Sequence, residues 1–328
     1  MIAISDAFLR GQLEERRQAL DAVIGQGAES AELVRLLEQV DTALGRMDKG
    51  TFGLCATCHD SIEKDRLIAD PLLCFCLDHL SNEQQRALEE DLELASRIQR
   101  GLLPSQNLRF PGWKVHYHYQ PAGPVSGDYC DLIQPVNGGG KLFFFLGDVS
   151  GKGVAASMLM SHLHAMFRSL TTVGMPLEQM MELANRVFCE STTAGQYATL
   201  VCGRAGRTGE LEICNAGHPA SLLLRKGEVT QIESTGLPLG MFSTGSYPVT
   251  RTTLEPGDTL FLYTDGLSEA HDRSGAEFGV ARVSQFVSER HALAPEALTA
   301  ACLEYLKHHA AGATGTDDLT IMVLRRAA

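Results

Sequence analysis

The stretch 142-LFFFLGDVSGKGVAAS-157 decides how the chain is read. Leu142 to Leu146 is continuously apolar and partly aromatic, which predicts a strand covered on both faces. Asp148 follows at once. Gly147, Gly151 and Gly153 let the backbone come close to a bound ion or phosphate, and Ala155, Ala156 and Met158 begin a helix. A buried strand that delivers a carboxylate to a glycine-rich turn makes Asp148 the first candidate for chemistry. Aspartate and glycine also populate ordinary solvated turns, so this stretch alone leaves both readings open.

The pattern recurs. Residues 125–131 read VSGDYCD, 260–269 read LFLYTDGLSE and 314–324 read TGTDDLTIMVL. Each sets an aspartate against an apolar, strand-like run with glycine close by. Asp128, Asp148, Asp265 and either Asp317 or Asp318 are far apart in sequence, so their common use is a cluster assembled by the fold. Carboxylates converging in one place repel unless hard cations sit among them, and an all-oxygen donor set suits Mg²⁺ or Mn²⁺. The expected product is a two-metal site, whose water activation suits in-line displacement at phosphorus.

VSGDYCD, GDVSGKGVAAS, NAGHP, GLPLG, LFLYTDGLSE and GTDDLT stand in the order found in the SpoIIE-type branch of the PPM metal-dependent protein serine/threonine phosphatases, which the chain resembles from Leu102 to Arg325. The resemblance implies an α-β-β-α sandwich, two packed antiparallel sheets flanked by helices, with a binuclear Mn²⁺/Mg²⁺ site at one edge. It implies that Asp128, Asp148, Asp265 and Asp317 bind metal, with the backbone carbonyl of Val149 as a further ligand. Asp318 is a second candidate at the last position, and Asp131 is an outer-shell candidate. No arginine is clearly placed to hold substrate phosphate. The implied reaction is hydrolysis of phosphoserine or phosphothreonine on a protein, without a covalent enzyme intermediate. The implied substrate is a STAS-type anti-sigma antagonist in a partner-switching pathway.

The rest of the chain sets the context. Its 328 residues allow two or three domains, and 44% hydrophobic with 21% charged residues suit a soluble globular protein. No apolar run approaches the roughly 18 residues that span a bilayer. The N-terminus lacks a signal-peptide layout, and nine cysteines suit a reducing compartment with some of them on a metal; a cytoplasmic protein is expected. A net charge of −12 works against nonspecific nucleic-acid binding.

Residues 1–48 predict a helical hairpin. Phe8, Leu9, Leu13, Leu20 and Ile24 mark one apolar face, and Leu33, Leu36, Leu37, Val40 and Leu44 the other, split at Gly25-Gln26-Gly27. Residues 49–80 hold Cys55-x₂-Cys58 and Cys76-x₂-His79, the spacing of two knuckles closing one tetrahedral, structural Zn²⁺ site. Gly45 to His79 resembles the DksA/TraR-type zinc finger through its GTFGLC entry, RLIADP segment and paired knuckles, with His79 where many members have cysteine. Residues 81–103 predict a linker helix with a Ser81/Gln84 capping box and Leu88, Leu92, Ala95, Ile98 and Leu102 at near-heptad spacing, which suits a parallel pair in a homodimer. ELASRIQRGLLP also resembles the segment entering SpoIIE-type domains. Residues 104–328 are the phosphatase domain, strands bracketing a helical pair, an α+β arrangement. His218 in NAGHP is a candidate near the catalytic edge, whereas His162 and His164 read as packing or surface residues.

Two other readings follow from the same residues. The chain would act on RNA polymerase through its zinc finger with the phosphatase domain as a regulated passenger, or it would be a two-metal nucleotide-binding or phosphodiester-cleaving enzyme. The second lacks the basic, aromatic track that a nucleic-acid strand needs.

Overall fold

The computed structural model describes residues 6–25, 31–79, 82–106, 108–134, 140–193, 195–310 and 317–327. The expected break at Gln26–Gly27, the Ser81 cap and the Gly-rich run 311–316 lie outside them. The chain forms two compact units, Met1–Asp91 and Leu92–Ala328. Among the described residues no helix is long and apolar enough to cross a membrane.

In the first unit, α1 (Asp6–Gly25) and α2 (Ala31–Asp48) pack on each other through buried Leu13, Leu20, Val40 and Ala43. Ion pairs Arg10–Asp48 and Arg17–Asp41, both 2.8 Å, run in opposite sequence directions, so the helices are antiparallel. The next segment, with the short helix α3 (Lys64–Ala69), buries Cys55, Ile62, Leu67 and Cys76 together. Helix α4 (Asn82–Leu102) follows. In the second unit Ile98, on the predicted stripe, is 60% exposed, while Gln99, one residue on, is 4% exposed.

The second unit holds β1 (Trp113–Gln120), β2 (Tyr129–Ile133), β3 (Leu142–Val149), α5 (Gly153–Leu170), α6 (Leu177–Ser191), β4 (Ala198–Ala205), β5 (Glu210–Ala216), β6 (Ser221–Arg225), β7 (Glu228–Ile232), β8 (Thr250–Thr253), β9 (Thr259–Tyr263), α7 (Asp265–Ser268), α8 (Val280–Glu289), α9 (Pro295–Ala310) and β10 (Leu319–Arg326). One antiparallel sheet runs β1-β10-β9-β6-β7 and the other β2-β3-β4-β5-β8.

Strand periodicity explains the layering. Along β3, Leu142, Phe144 and Leu146 enter the core between the sheets, whereas Phe145 joins the core beneath α5 and α6. Along β10, Met322 and Leu324 face the inter-sheet core, and Leu319, Ile321 and Val323 pack beneath α8 and α9. Both strands are apolar on both faces because each sheet is covered twice, and the result is helices, two sheets and helices. Helix α5 begins at Gly153, two residues before the Ala155 expected to open it, and β7, β8 and α8 are additions that short or mixed patterns hid.

Candidate active site

The register of β2 on β3 pairs Tyr129 with Gly147, which brings Asp128 and Asp148 level on neighbouring strands. Gly127 makes the approach tight. A Cβ built there would lie 3.0 Å from the carbonyl oxygen of Val149 and 3.2 Å from Asp148 Oδ1. From the other sheet, β9 ends and β10 begins beside this pair. Thr264 and Thr320, paired through Thr264 N to Thr320 O at 3.0 Å, both donate their hydroxyls to Asp128 Oδ2, at 3.1 and 2.5 Å. Asp265 follows Thr264 as the first residue of α7.

The carboxylates raise one another's proton affinity. Asp128, 1% exposed, is held well above the usual carboxylate range by burial and then by Asp148. Burial, followed by Asp265, Asp317 and Asp318, lifts Asp148 to about 7. Asp265 is raised by burial and by Asp317, and Glu269 by burial and by Asp265. Among the described residues, Asp128 Oδ1 is buried without a hydrogen-bond partner. A buried carboxylate oxygen with no donor, inside a cluster of like charges, is costly unless a cation completes it. The donor set, with the Val149 carbonyl beside it, fits hard divalent ions such as Mg²⁺ or Mn²⁺.

Asp317 and Asp318 are used differently. Both oxygens of Asp318 accept backbone N–H bonds, from Ala122 at 2.7 Å and Gly127 at 2.8 Å, so this carboxylate holds the loop that carries Asp128. Asp317 instead faces Lys152, whose Nζ lies 3.2 Å from its Oδ1. Asp131 points elsewhere: Arg168 donates to both of its oxygens at 2.7 Å, and His164 Nδ1 is 3.5 Å away. Its carboxylate ties β2 to α5 and is fully engaged there.

His218 is buried, with Nδ1 2.8 Å from Thr199 Oγ1, and burial drives its pKa down to about 3. It is a neutral group under the site: Thr199 lies opposite Asp148 in the β3–β4 register. Gln99 is a site residue that pattern reading passed over. Its side chain donates to Ser126 O at 2.7 Å and accepts from Ser126 N at 3.0 Å, and Ser126 Oγ in turn accepts from Asp128 N at 3.0 Å. The available signal was an amide on the stripe of Leu92, Ala95 and Leu102.

In the first unit, the ligand atoms of Cys55, Cys58, Cys76 and His79 all lie within 4.8 Å of one another. Cys58 Sγ is 3.7 Å from Cys76 Sγ, which is 3.3 Å from His79 Nδ1. Burial opposes ionisation of Cys55, but backbone N–H groups of Cys58, Cys76 and Thr57 outweigh it and hold the thiol at about 6. Three soft sulfurs and an imidazole so arranged suit a tetrahedral ion.

A family model described as stage II sporulation protein E (SpoIIE) matches residues 138–327. Protein IcfG of Synechocystis sp. is 26% identical over 265 residues, which cover 72% of this chain and 41% of IcfG. The phosphoserine phosphatase RsbU of Bacillus subtilis is 25% identical over 194 residues, covering 58% of this chain and 57% of RsbU. The chain therefore spans about half the length of these relatives. Among solved structures, the RsbU and RsbW domains of Rv1364c from Mycobacterium tuberculosis align at 30% identity and a TM-score of 0.58, covering 66% of this chain and 61% of that one.

Proposed function

This chain belongs to the SpoIIE family, and we propose on that premise that residues 104–328 hydrolyse phosphoserine or phosphothreonine on a regulatory protein. The observation that carries the reading is the partnerless, buried Oδ1 of Asp128 among Asp148, Asp265 and Asp317. Asp128, Asp148, Asp265 and Asp317 with the Val149 carbonyl would hold two Mn²⁺ or Mg²⁺ ions, and the chemistry these would supply is an activated water and charge neutralisation on the phosphoryl oxygens. Asp318 serves by fixing the 122–127 loop through its two backbone bonds. Thr264 and Thr320 hold Asp128 through its Oδ2 and leave Oδ1 for a cation.

The relative RsbU is named a phosphoserine phosphatase, and an RsbU domain shares a chain with an RsbW domain in the Mycobacterium protein. We take the substrate here to be a phosphorylated STAS-type anti-sigma antagonist. Residues 1–48 and 49–80 form a regulatory module of the DksA/TraR type with a structural Zn²⁺ on Cys55, Cys58, Cys76 and His79. The linker, residues 81–103, carries its influence and supports a homodimer. Exposed Leu94 and Ile98, one turn apart on α4, offer the apolar stripe such a pair needs.

The test is phosphate release from a phosphothreonine peptide by the full chain and by Asp148→Asn, with added Mn²⁺ and with zinc quantified in both. Release that requires Mn²⁺ and vanishes in the variant, with about one zinc per chain in each preparation, is the expected outcome. Metal-independent release, or release that survives Asp148→Asn, refutes the reading.

A further inference from the structure

Large apolar side chains are exposed on the start of α5, at Tyr197 and on the 236–242 loop, segments tied to one another next to the Asp148 turn. Met158 is 68% exposed, Phe242 58% and Leu237 57%, with Val154, Met241 and Tyr197 also open to solvent. Val154 and Met158 lie one turn apart on α5, so they share a face. Val154 is two residues beyond Lys152, whose ammonium reaches Asp317. Tyr197 is pinned beside the same turn: Ser150 N donates to its carbonyl at 2.9 Å, and its N–H donates to Ser150 Oγ at 3.0 Å. Ser150 is two residues past Asp148.

The third part is the 236–242 loop. Leu239 exchanges two backbone bonds with Ala198, at 2.8 and 2.9 Å, which sets the loop against the start of β4 just after Tyr197. Asn185 of α6 accepts from Gly240 N at 3.0 Å and donates to Phe242 O at 2.9 Å, so Met241 is bracketed by two bonds to one amide. Gly240 abuts the Phe188 ring, and that ring lies 6.0 Å from the His162 ring, one turn beyond Met158 on α5. The exposed side chains therefore stand on anchored backbone, from the N-terminal turn of α5 to the loop.

We propose that the apolar surface of Val154, Met158, Tyr197, Leu237, Met241 and Phe242 docks the folded phosphoprotein substrate around its phosphorylated residue; this rests on the phosphatase reading of the aspartate cluster. An exposed apolar patch rimmed by polar groups is the ordinary mark of a binding surface. Its occupant is set by continuity, because the patch begins where the metal-ligand set ends. A protein seated there presents its phosphoester to Asp148 and Asp317, with apolar side chains flanking the phosphoserine or phosphothreonine. A second copy seated on this surface is disfavoured, since it would set another aspartate cluster against this one.

The experiment compares Met158→Ser/Phe242→Ser with wild type, at saturating Mn²⁺, on the phosphoserine form of a STAS-domain antagonist protein and on p-nitrophenyl phosphate. The expected result is a loss of about tenfold or more in kcat/KM on the phosphoprotein, carried by KM, with hydrolysis of the small ester at the wild-type rate. Wild-type activity of the variant on the phosphoprotein overturns the proposal. A parallel loss on both substrates also overturns it, since the residues then support the site itself. Sedimentation of both proteins completes the test, because dissociation of a wild-type dimer by the variant assigns the surface to a second copy instead. Absence of ester hydrolysis in wild type refutes the underlying phosphatase reading, independently of the docking ratio.

Discussion

Replacing Gln99 by leucine removes the two hydrogen bonds that the side chain makes to Ser126, at 2.7 and 3.0 Å, without leaving a void. Ser126 is 1% exposed, so its N–H and C=O cannot turn to water where they stand. Each buried backbone group left unsatisfied costs about 1–3 kcal/mol, and two of them about 2–6 kcal/mol if the loop stays in place. The loop relieves that cost by shifting, and a shift carries Asp128 with it, since Asp128 N donates to Ser126 Oγ. The penalty then appears as a smaller fraction of molecules with a ligand-ready Asp128. At the low end, 2 kcal/mol corresponds to about a thirtyfold rise in the Mn²⁺ concentration giving half-maximal activity. The assay is a Mn²⁺ titration of p-nitrophenyl phosphate hydrolysis by wild type and Gln99→Leu, beside a thermal melt. The predicted signature is a displaced titration curve that reaches a similar plateau. A curve that coincides with wild type would falsify the claim that this amide positions the metal-binding loop.

Other outcomes follow from the same geometry. Gly127→Ala places a methyl 3.0 Å from the Val149 carbonyl and 3.2 Å from Asp148 Oδ1, and should raise the Mn²⁺ requirement by about tenfold with an unchanged far-UV circular dichroism spectrum. His218 is neutral in the folded protein, with its pKa lowered to about 3 from an ordinary value of 6.5. Between those values the unfolded chain binds the extra proton, so this residue makes stability rise with pH up to about 6.5 and adds no further change above it. Urea denaturation of wild type and His218→Gln from pH 4.5 to 8 should show a shallower slope for the variant below pH 6.5. Cys76→Ser should lower bound zinc, read by atomic absorption, and make the segment from Thr51 to His79 susceptible to limited proteolysis, because few buried side chains besides the ligands hold it.

Much of the fold and of the candidate site was legible before any coordinates. The apolar runs ending in aspartate marked four strand ends, and in the structure Asp128, Asp148, Asp265 and Asp317 do share one edge of the two sheets. Apolar periodicity located α1, α2 and α4, and the cysteine spacing located the compact quartet of Cys55, Cys58, Cys76 and His79. These features are local or depend on fixed spacing, so a one-dimensional pattern carries them.

What the tertiary structure alone decided concerns partners distant in sequence. Asp317 and Asp318 are adjacent and chemically identical, and only the loop from Ala122 to Gly127, nearly 200 residues away, separates a carboxylate that braces that loop from one that faces Lys152. Asp131, three residues from Asp128, turns to Arg168 because successive strand residues alternate faces and α5 covers the face it takes. Gln99 broke the apolar stripe, and its use became clear only with the Ser126 backbone against it. Sequence determines which residues can ionise, bend or bury themselves. Which of two equal carboxylates is spent on the backbone depends on what the fold brings within about 3 Å, because hydrogen bonding and desolvation act over that range and not along the chain.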